Sequence, residues 1–230
     1  MFLHIKNVLS ADEIALLRQK LWAPETPWVD GSRSAGSQAV HQKNNRQLSQ
    51  GSELSGQLQG LVKAALARNA LFFSAALPRR IYNPLFNNYG DSANFYGEHV
   101  DSAVMHSTAD NCWVRSDLSC TLFLTPPHEY DGGELVATEA WGEKRIKLPA
   151  GDMVIYPSST VHQVAPVTRG QRISCFFWVE SMVRSLEQRQ LLFDMDMALL
   201  RLRQSAGETD PCVIALSGTY HNLLRMWADV

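Results

Sequence analysis

Long apolar runs are missing from this chain. No stretch approaches about eighteen uninterrupted apolar residues, so no membrane-spanning helix is expected. An excess of either charge is missing too: 21 Lys and Arg stand against 23 Asp and Glu, a net charge of −2. Nucleic acids and anionic membranes are met by a basic excess or patch, so neither is an expected partner. Cysteine is scarce, and Cys112, Cys120, Cys175 and Cys212 are scattered without a Cys-x-x-Cys pair. That argues against a disulfide framework and for reduced thiols packed inside a cytoplasmic protein. The N-terminus, Met1-Phe2-Leu3-His4-Ile5-Lys6-Asn7, lacks the basic region, apolar run and cleavage site of an export signal. No internal repeat and no low-complexity segment is found.

What is present is ordinary globular material. At 230 residues and 45% hydrophobic content, the chain is long enough for one large or two modest domains. Ser10-Ala11-Asp12-Glu13 has the form of a capping box, and Ile14, Leu17 and Leu21 follow at helical spacing, predicting a first helix to about Leu21. Pro24 and Pro27 end it, and Asp30 to Gln50 form a long polar stretch without strong periodicity. Leu54, Leu58, Leu61, Val62, Ala65 and Leu66 make the stripe of a second helix, expected on the outside of a sheet.

From Leu77 to Val179 the pattern changes to short apolar runs punctuated by Gly, Pro, Asn and Asp, which suggests a double-sheet jelly roll. Thr168-Arg169-Gly170-Gln171 separates the run around His162 from Arg172-Ile173-Ser174-Cys175-Phe176-Phe177-Trp178, so these two strands are expected to pair as a hairpin. A simple four-residue loop would then leave His162 and Arg172 on opposite faces unless a bulge near Pro166 restores the parity. After Glu180 the chain turns helical. Val183, Leu186, Leu191, Leu192, Met195, Leu199 and Leu202 form an apolar stripe, and a shorter helix is expected over Tyr220 to Trp227. The fold class is therefore α+β, a double-stranded β-helix (jelly roll) with flanking helices. The expected domain plan is N-terminal helices over 1–76, the jelly-roll core over 77–180 and a helical C-terminal extension over 181–230.

The chemistry is concentrated in that core. In a strand, residues i and i+2 share a face, so His99 and Asp101 are placed to grip one ion while a later strand supplies His162. Two histidines and one carboxylate with the opposite positions open form the facial triad of non-haem Fe(II) oxygenases. A lone His-x-Asp is a weak signal, and its surroundings carry the argument. The turn-rich run Asn83-Pro84-Leu85-Phe86-Asn87-Asn88-Tyr89-Gly90 leads into Tyr96-Gly97-Glu98-His99-Val100-Asp101. Pro149-Ala150-Gly151-Asp152-Met153-Val154-Ile155-Tyr156-Pro157 delivers the chain to Val161-His162. Arg172 follows ten residues later, and its planar fork suits a carboxylate.

Residues 77–179 resemble the catalytic core of 2-oxoglutarate/Fe(II) dioxygenases of the prolyl-4-hydroxylase type. Tyr96 to Ala103, Tyr130-Asp131-Gly132-Gly133-Glu134-Leu135, Gly151 to Pro157 and the tail Arg189 to Asp196 are similar to the bacterial PKHD-type hydroxylases, the PiuC group. The resemblance implies that His99, Asp101 and His162 hold Fe(2+), that Arg172 binds 2-oxoglutarate, and that Tyr89 and Tyr96 line the co-substrate pocket. It also implies O2 as co-reactant, succinate and CO2 as products, hydroxylation of an unidentified substrate and L-ascorbate as a reductant. Prolyl-hydroxylase likeness suggests a peptide or protein side chain as that substrate, whereas the PiuC association suggests iron uptake or siderophore handling.

Two other readings remain: a cupin-like metalloenzyme that does not use 2-oxoglutarate, and a non-catalytic iron or 2-oxoglutarate sensor. If Arg172 is not the anchor, Arg80 and Arg169 are the next cations in line. His4, His41, His106, His128 and His221 have no partner at ligand spacing. Ser32 to Gln47 and Ser102 to Arg115 are the candidate lids. The C-terminal helices suit either a satellite domain or a homodimer contact.

Overall fold

The computed structural model describes residues 2–34, 42–107 and 110–230. Its first third runs β1 (Leu3–Ile5), α1 (Ala11–Leu21), β2 (Trp28–Asp30), β3 (Lys43–Asn44), β4 (Arg46–Leu48), α2 (Glu53–Ala67) and α3 (Ala70–Ala76). The core continues with β5 (Pro78–Ile81), β6 (Leu85–Tyr89), β7 (Phe95–His99), β8 (Val104–Ser107), β9 (Cys112–Arg115) and β10 (Leu118–Phe123). It closes with β11 (Asp131–Gly132), β12 (Leu135–Glu139), β13 (Gly142–Ile146), β14 (Met153–Pro157), β15 (Val161–Val164), β16 (Val167–Arg169) and β17 (Arg172–Ser181). The tail is α4 (Leu186–Ala206) and α5 (Pro211–Trp227).

Two antiparallel sheets face each other. The major sheet has the order β1-β14-β10-β17-β6-β4-β2, with β5 also on β17, and the minor sheet is β13-β12-β15-β7-β3. Period-two alternation in the central strands sorts their residues between two environments. Cys120 and Leu122 of β10, and Ile173, Cys175 and Phe177 of β17, point outward into a core shared with Leu17, Leu21, Leu58, Val62 and Phe72 from α1, α2 and α3. Each such buried side chain contributes about 1.5–3 kcal/mol, which holds the three helices on the outer face. The intervening residues point inward, into the space between the sheets. The α1 capping box is formed, with Ser10 and Glu13 each satisfying the other's backbone N–H. The jelly roll with flanking helices is thus the observed architecture, and the four cysteines are free.

Four expectations are corrected. The strands carrying His162 and Arg172 are not a hairpin: β15 pairs β12 and β7 in the minor sheet, whereas β17 pairs β10, β6 and β5 in the major one. Between them β16 pairs β11, and Pro166, which has no N–H to offer a ladder, uses its carbonyl to accept from Gly133. The chain therefore crosses from one sheet to the other, and His162 and Arg172 both face inward without sharing a parity.

The 76 N-terminal residues supply more than helices. The polar stretch after Asp30 contains β3 and β4, which extend one sheet each. Of its lid candidate, residues 35–41, with His41, lie outside the described residues. The second lid candidate contains the β8–β9 hairpin; its residues 108 and 109 are also outside.

The last helix begins at Pro211 and not Tyr220, because Asp210 caps it and Pro211 takes its first turn. Finally, Leu192 and Leu199, from the apolar stripe that suits either a satellite domain or a homodimer contact, are 1% and 2% exposed and belong to the intramolecular core. Leu192 packs with Leu77 and Val183 against α5 residues. Among the described residues, no helix is long and apolar enough to cross a membrane.

Candidate metal centre and anion pocket

His99 ends β7, and His162 lies directly opposite it on β15. Cross-strand neighbours have their Cβ atoms about 5 Å apart, so two imidazoles meet here without any help from loops. Their ring centroids are 4.3 Å apart. Asp101 lies two residues past the end of β7, not within a continuous strand as expected, and it still reaches the same point. One ligand atom from each of His99, Asp101 and His162 lies within 4.8 Å of the others, and among the described residues this is the only such His/Cys/Asp/Glu group.

The surroundings prepare these groups. His99 Nδ1 is 2.8 Å from the Gly97 carbonyl and His162 Nδ1 is 3.0 Å from the Thr160 carbonyl. A carbonyl only accepts, so each Nδ1 carries a proton, and in the neutral ring it is Nε2 that has the lone pair to offer. Burial, aided by the neighbouring His162, pulls the His99 imidazole down to about 4 from its ordinary 6.5, keeping it neutral. Ser119 donates to Asp101 Oδ2 at 2.6 Å, and Ser158 Oγ lies 2.8 Å behind it. Tyr96 stacks on His99 with centroids 3.7 Å apart, and Lys43 Nζ sits 5.0 Å over the other ring, that of Tyr96. Burial lowers the Lys43 ammonium to about 8, although the charge of Asp101 works the other way.

A cavity of about 420 Å³ opens from this centre into the space between the sheets. Its floor is the inner face of the major sheet, graded by register. Arg172 stands opposite Tyr89, Ser174 between Asn87 and Phe123, Phe176 between Leu85 and Thr121, and Trp178 opposite Ser119. The floor passes from a cation through amides and a hydroxyl to an aromatic wall, where Trp178 meets Tyr82 and Phe176 edge to face.

Arg172 is 1% exposed. Its guanidinium carbon lies 5.2 Å from the Tyr89 ring centroid and 5.4 Å from that of Phe123. One amino group donates to Ser174 Oγ at 2.8 Å, Ser174 donates to Asn87 Oδ1 at 2.5 Å, and Asn87 donates to the Tyr89 hydroxyl at 3.3 Å. Arg172 Nε has no hydrogen-bond partner, and among the described residues no carboxylate pairs with this cation. Gly133, at φ +68°, leaves it room: a Cβ there would stand 3.0 Å from Arg172 Cδ. A buried cation with an orphaned donor is suited to an anion from outside the chain. The donor set thus suits both groups used by 2-oxoglutarate/Fe(II) chemistry: two imidazoles and a carboxylate for Fe(2+), and a guanidinium for 2-oxoglutarate.

All six expected site residues, His99, Asp101, His162, Arg172, Tyr89 and Tyr96, line this one cavity. Arg80 and Arg169 do not; Arg80 pairs with the buried Glu180, and Arg169 pairs with Asp131 at the surface. His4 is taken by Asp152 at 2.7 Å. The sequence reading missed Ser119, Asn87, Ser174 and the amides before and within β4. A signal existed for Ser119 and Ser174, each a polar residue between apolar neighbours in a strand buried on both faces, and for Asn87 as half of an Asn-Asn pair in a fully buried strand.

Family comparisons agree with the geometry. Residues 84–180 match the 2OG-Fe(II) oxygenase superfamily and residues 187–229 the PKHD-type hydroxylase C-terminal domain. A PKHD-type hydroxylase of Verminephrobacter eiseniae is 56% identical over 229 residues, and one of Nitrosomonas europaea is 52% identical over 229 residues, each alignment covering all of both chains. Among solved structures, a prolyl hydroxylase from Trichoplax adhaerens in complex with a hypoxia inducible factor peptide superposes with a TM-score of 0.55 at 15% identity, covering 83% of this chain and 86% of that one. The 2-oxoglutarate-dependent epimerase SnoN of nogalamycin biosynthesis gives 0.53 at 17% identity, covering 79% of each chain. At such identities the two structures speak for the fold alone, while the full-length relatives place the sequence: the chain belongs to the PKHD-type hydroxylases, enzymes of the 2OG-Fe(II) oxygenase superfamily.

Proposed function

We propose that this enzyme hydroxylates a C–H bond of its substrate with His99, Asp101 and His162 as the iron ligands and Arg172 as the anchor of 2-oxoglutarate. The observation that carries this reading is the pairing, in one cavity, of a three-atom ligand cluster with a buried arginine that has no carboxylate partner among the described residues. When bound, iron and 2-oxoglutarate supply the oxidising power, with O2 consumed and succinate and CO2 released.

The chain's own residues do the positioning. His99 and His162 present Nε2 because carbonyls hold Nδ1, and Ser119 fixes the Asp101 carboxylate. Ser174 and Asn87 orient Arg172, and Tyr89 and Tyr96 wall the co-substrate pocket. Tyr82, Phe176 and Trp178 line the opposite, substrate-facing side and keep water from it. The β8–β9 hairpin directly after Asp101 is the proposed lid, since Met105 reaches the cavity.

The substrate we propose is a peptide side chain or a siderophore-like small molecule, handled in the cytoplasm with L-ascorbate restoring the iron after uncoupled turnover. Residues 77–180 act as the oxygenase unit between the N-terminal segment 1–76 and the extension 181–230. Self-association, where it occurs, uses the exposed Leu191, Leu200, Ile214 and Met226 of the C-terminal helices. The test is anaerobic loading with Fe(II) and 2-oxoglutarate, then succinate release across peptides, amino acids and siderophores. His99→Ala, Asp101→Ala and His162→Ala should each lose most bound iron while keeping the wild-type circular dichroism. Full iron retention by any of them removes that residue from the ligand set. No succinate release with any added substrate would favour a sensor.

A further inference from the structure

Asn45 lies just before β4, two residues from Gln47, which is the register partner of Asn87. It is 2% exposed and lines the cavity, and among the described residues neither Oδ1 nor Nδ2 completes a hydrogen bond, although the Tyr89 hydroxyl lies beside the amide. Buried amides are almost always satisfied, so an orphaned one facing a cavity marks a partner that the polypeptide does not supply. The position is a built one. A Cβ on Gly31 would fall 1.8 Å from Asn45 Oδ1, so only a glycine there admits this amide, and the Gly31 N–H donates to the Asn45 carbonyl at 2.9 Å.

With Oδ1 against Gly31, the amide presents its Nδ2 side to the Tyr89 hydroxyl beside it. That hydroxyl already accepts from Asn87, which leaves its own proton to give. Arg172 stands over the Tyr89 ring with Nε unpartnered. Three donors, from β17, β6 and the residue just before β4, therefore bound one end of the cavity, and among the described residues no carboxylate pairs with Arg172. A hole lined by N–H and O–H donors takes an acceptor with several lone pairs and negative charge, which is a carboxylate.

We propose that Asn45 is a further co-substrate-binding residue, its Nδ2 donating to the distal carboxylate of 2-oxoglutarate beside Arg172 and Tyr89. The proposal rests on the reading of Arg172 as the anchor. It assigns a role to a residue outside the 84–180 oxygenase match.

The experiment titrates 2-oxoglutarate into the full-length, Mn(II)-loaded protein by calorimetry. Asn45→Ala should weaken binding about tenfold, as loss of one hydrogen bond to a charged group does. Asn45→Asp, which sets like charges together, should weaken it about hundredfold. Mn(II) affinity should stay within about twofold in both, because Asn45 touches no metal ligand. Gly31→Ala, which crowds Oδ1, should reproduce the loss and serves as the second probe if Asn45→Asp fails to fold. Wild-type 2-oxoglutarate affinity in Asn45→Ala and Gly31→Ala, alongside a large loss in Arg172→Ala, would overturn the proposal and leave Asn45 a packing residue. Wild-type affinity in Arg172→Ala would instead remove the anchor reading on which the proposal stands.

Discussion

Replacing Arg172 by methionine separates what this residue does for the fold from what it does for the ligand. The guanidinium is 1% exposed, lies over two aromatic rings and makes one hydrogen bond to Ser174. Without a carboxylate partner among the described residues, its burial costs several kcal/mol of desolvation, only part of which the ring contacts offset. Methionine has a similar length and no charge, so the ligand-free fold should be unchanged or about 1 kcal/mol more stable.

Binding should move the other way. Loss of a charge-assisted, bidentate partner in a buried pocket costs about 2–5 kcal/mol, a factor of roughly 30 to several thousand in Kd. Thermal denaturation of the Mn(II)-loaded protein reads this directly. At a 2-oxoglutarate concentration of about 100 times the wild-type Kd, ligand adds about 2.7 kcal/mol, or about 5–10 °C in Tm for a domain of this size. A variant bound a hundredfold more weakly gains about 0.4 kcal/mol, or about 1 °C. The shift given by Mn(II) alone should be preserved. A 2-oxoglutarate shift equal to wild type would refute the anchor, and a loss of several kcal/mol without ligand would show that Arg172 serves the fold instead.

Ser119→Ala should leave the fold intact and weaken Mn(II) or Fe(II) about tenfold, because Asp101 loses the hydroxyl that fixes its carboxylate at 2.6 Å; unchanged metal affinity in a direct titration would sink that role. The metal-free protein should lose stability as pH falls from about 6.5 towards 4. His99 titrates at about 4 when folded and near its ordinary 6.5 when unfolded, so acid protonates the unfolded chain first; the stability is present above 6.5 and lost through this window. The loss due to His99 should be about 2 kcal/mol between pH 7.5 and 4.5, read as the difference in denaturant midpoints between wild type and His99→Gln, and parallel profiles for the two would contradict it. Light scattering should show that Leu191→Asp with Ile214→Asp lowers the oligomeric state of any self-associating form, since these residues are 60% and 61% exposed; an assembly unaffected by both changes would place its contact elsewhere.

Much of this enzyme was legible in the residues themselves, and the reason is locality. Ser10 and Glu13, three residues apart, cap the first helix, and the alternation of β10 and β17 follows from the geometry of an extended chain, so both can be read from neighbours in sequence. His99 and Asp101 announce a site because their spacing is short, and the similarity to PKHD-type hydroxylases rests on contiguous motifs of the same kind. The pairing of strands is different, because it depends on contacts between residues far apart in the chain. Nothing near Pro166 states that the chain leaves the minor sheet for the major one, yet that crossing puts His162 opposite His99 and sends Arg172 to the other wall of the cavity. The same holds for the polar stretch after Asp30. Its lack of periodicity reads as a loop, and only its pairing with β6 and β7 turns Asn45, Gln47 and Lys43 into the wall of a binding site. The sequence by itself determined which residues could do the chemistry. The tertiary structure decided that they share one cavity, because the distances between them are set by sheet register, which no single strand encodes.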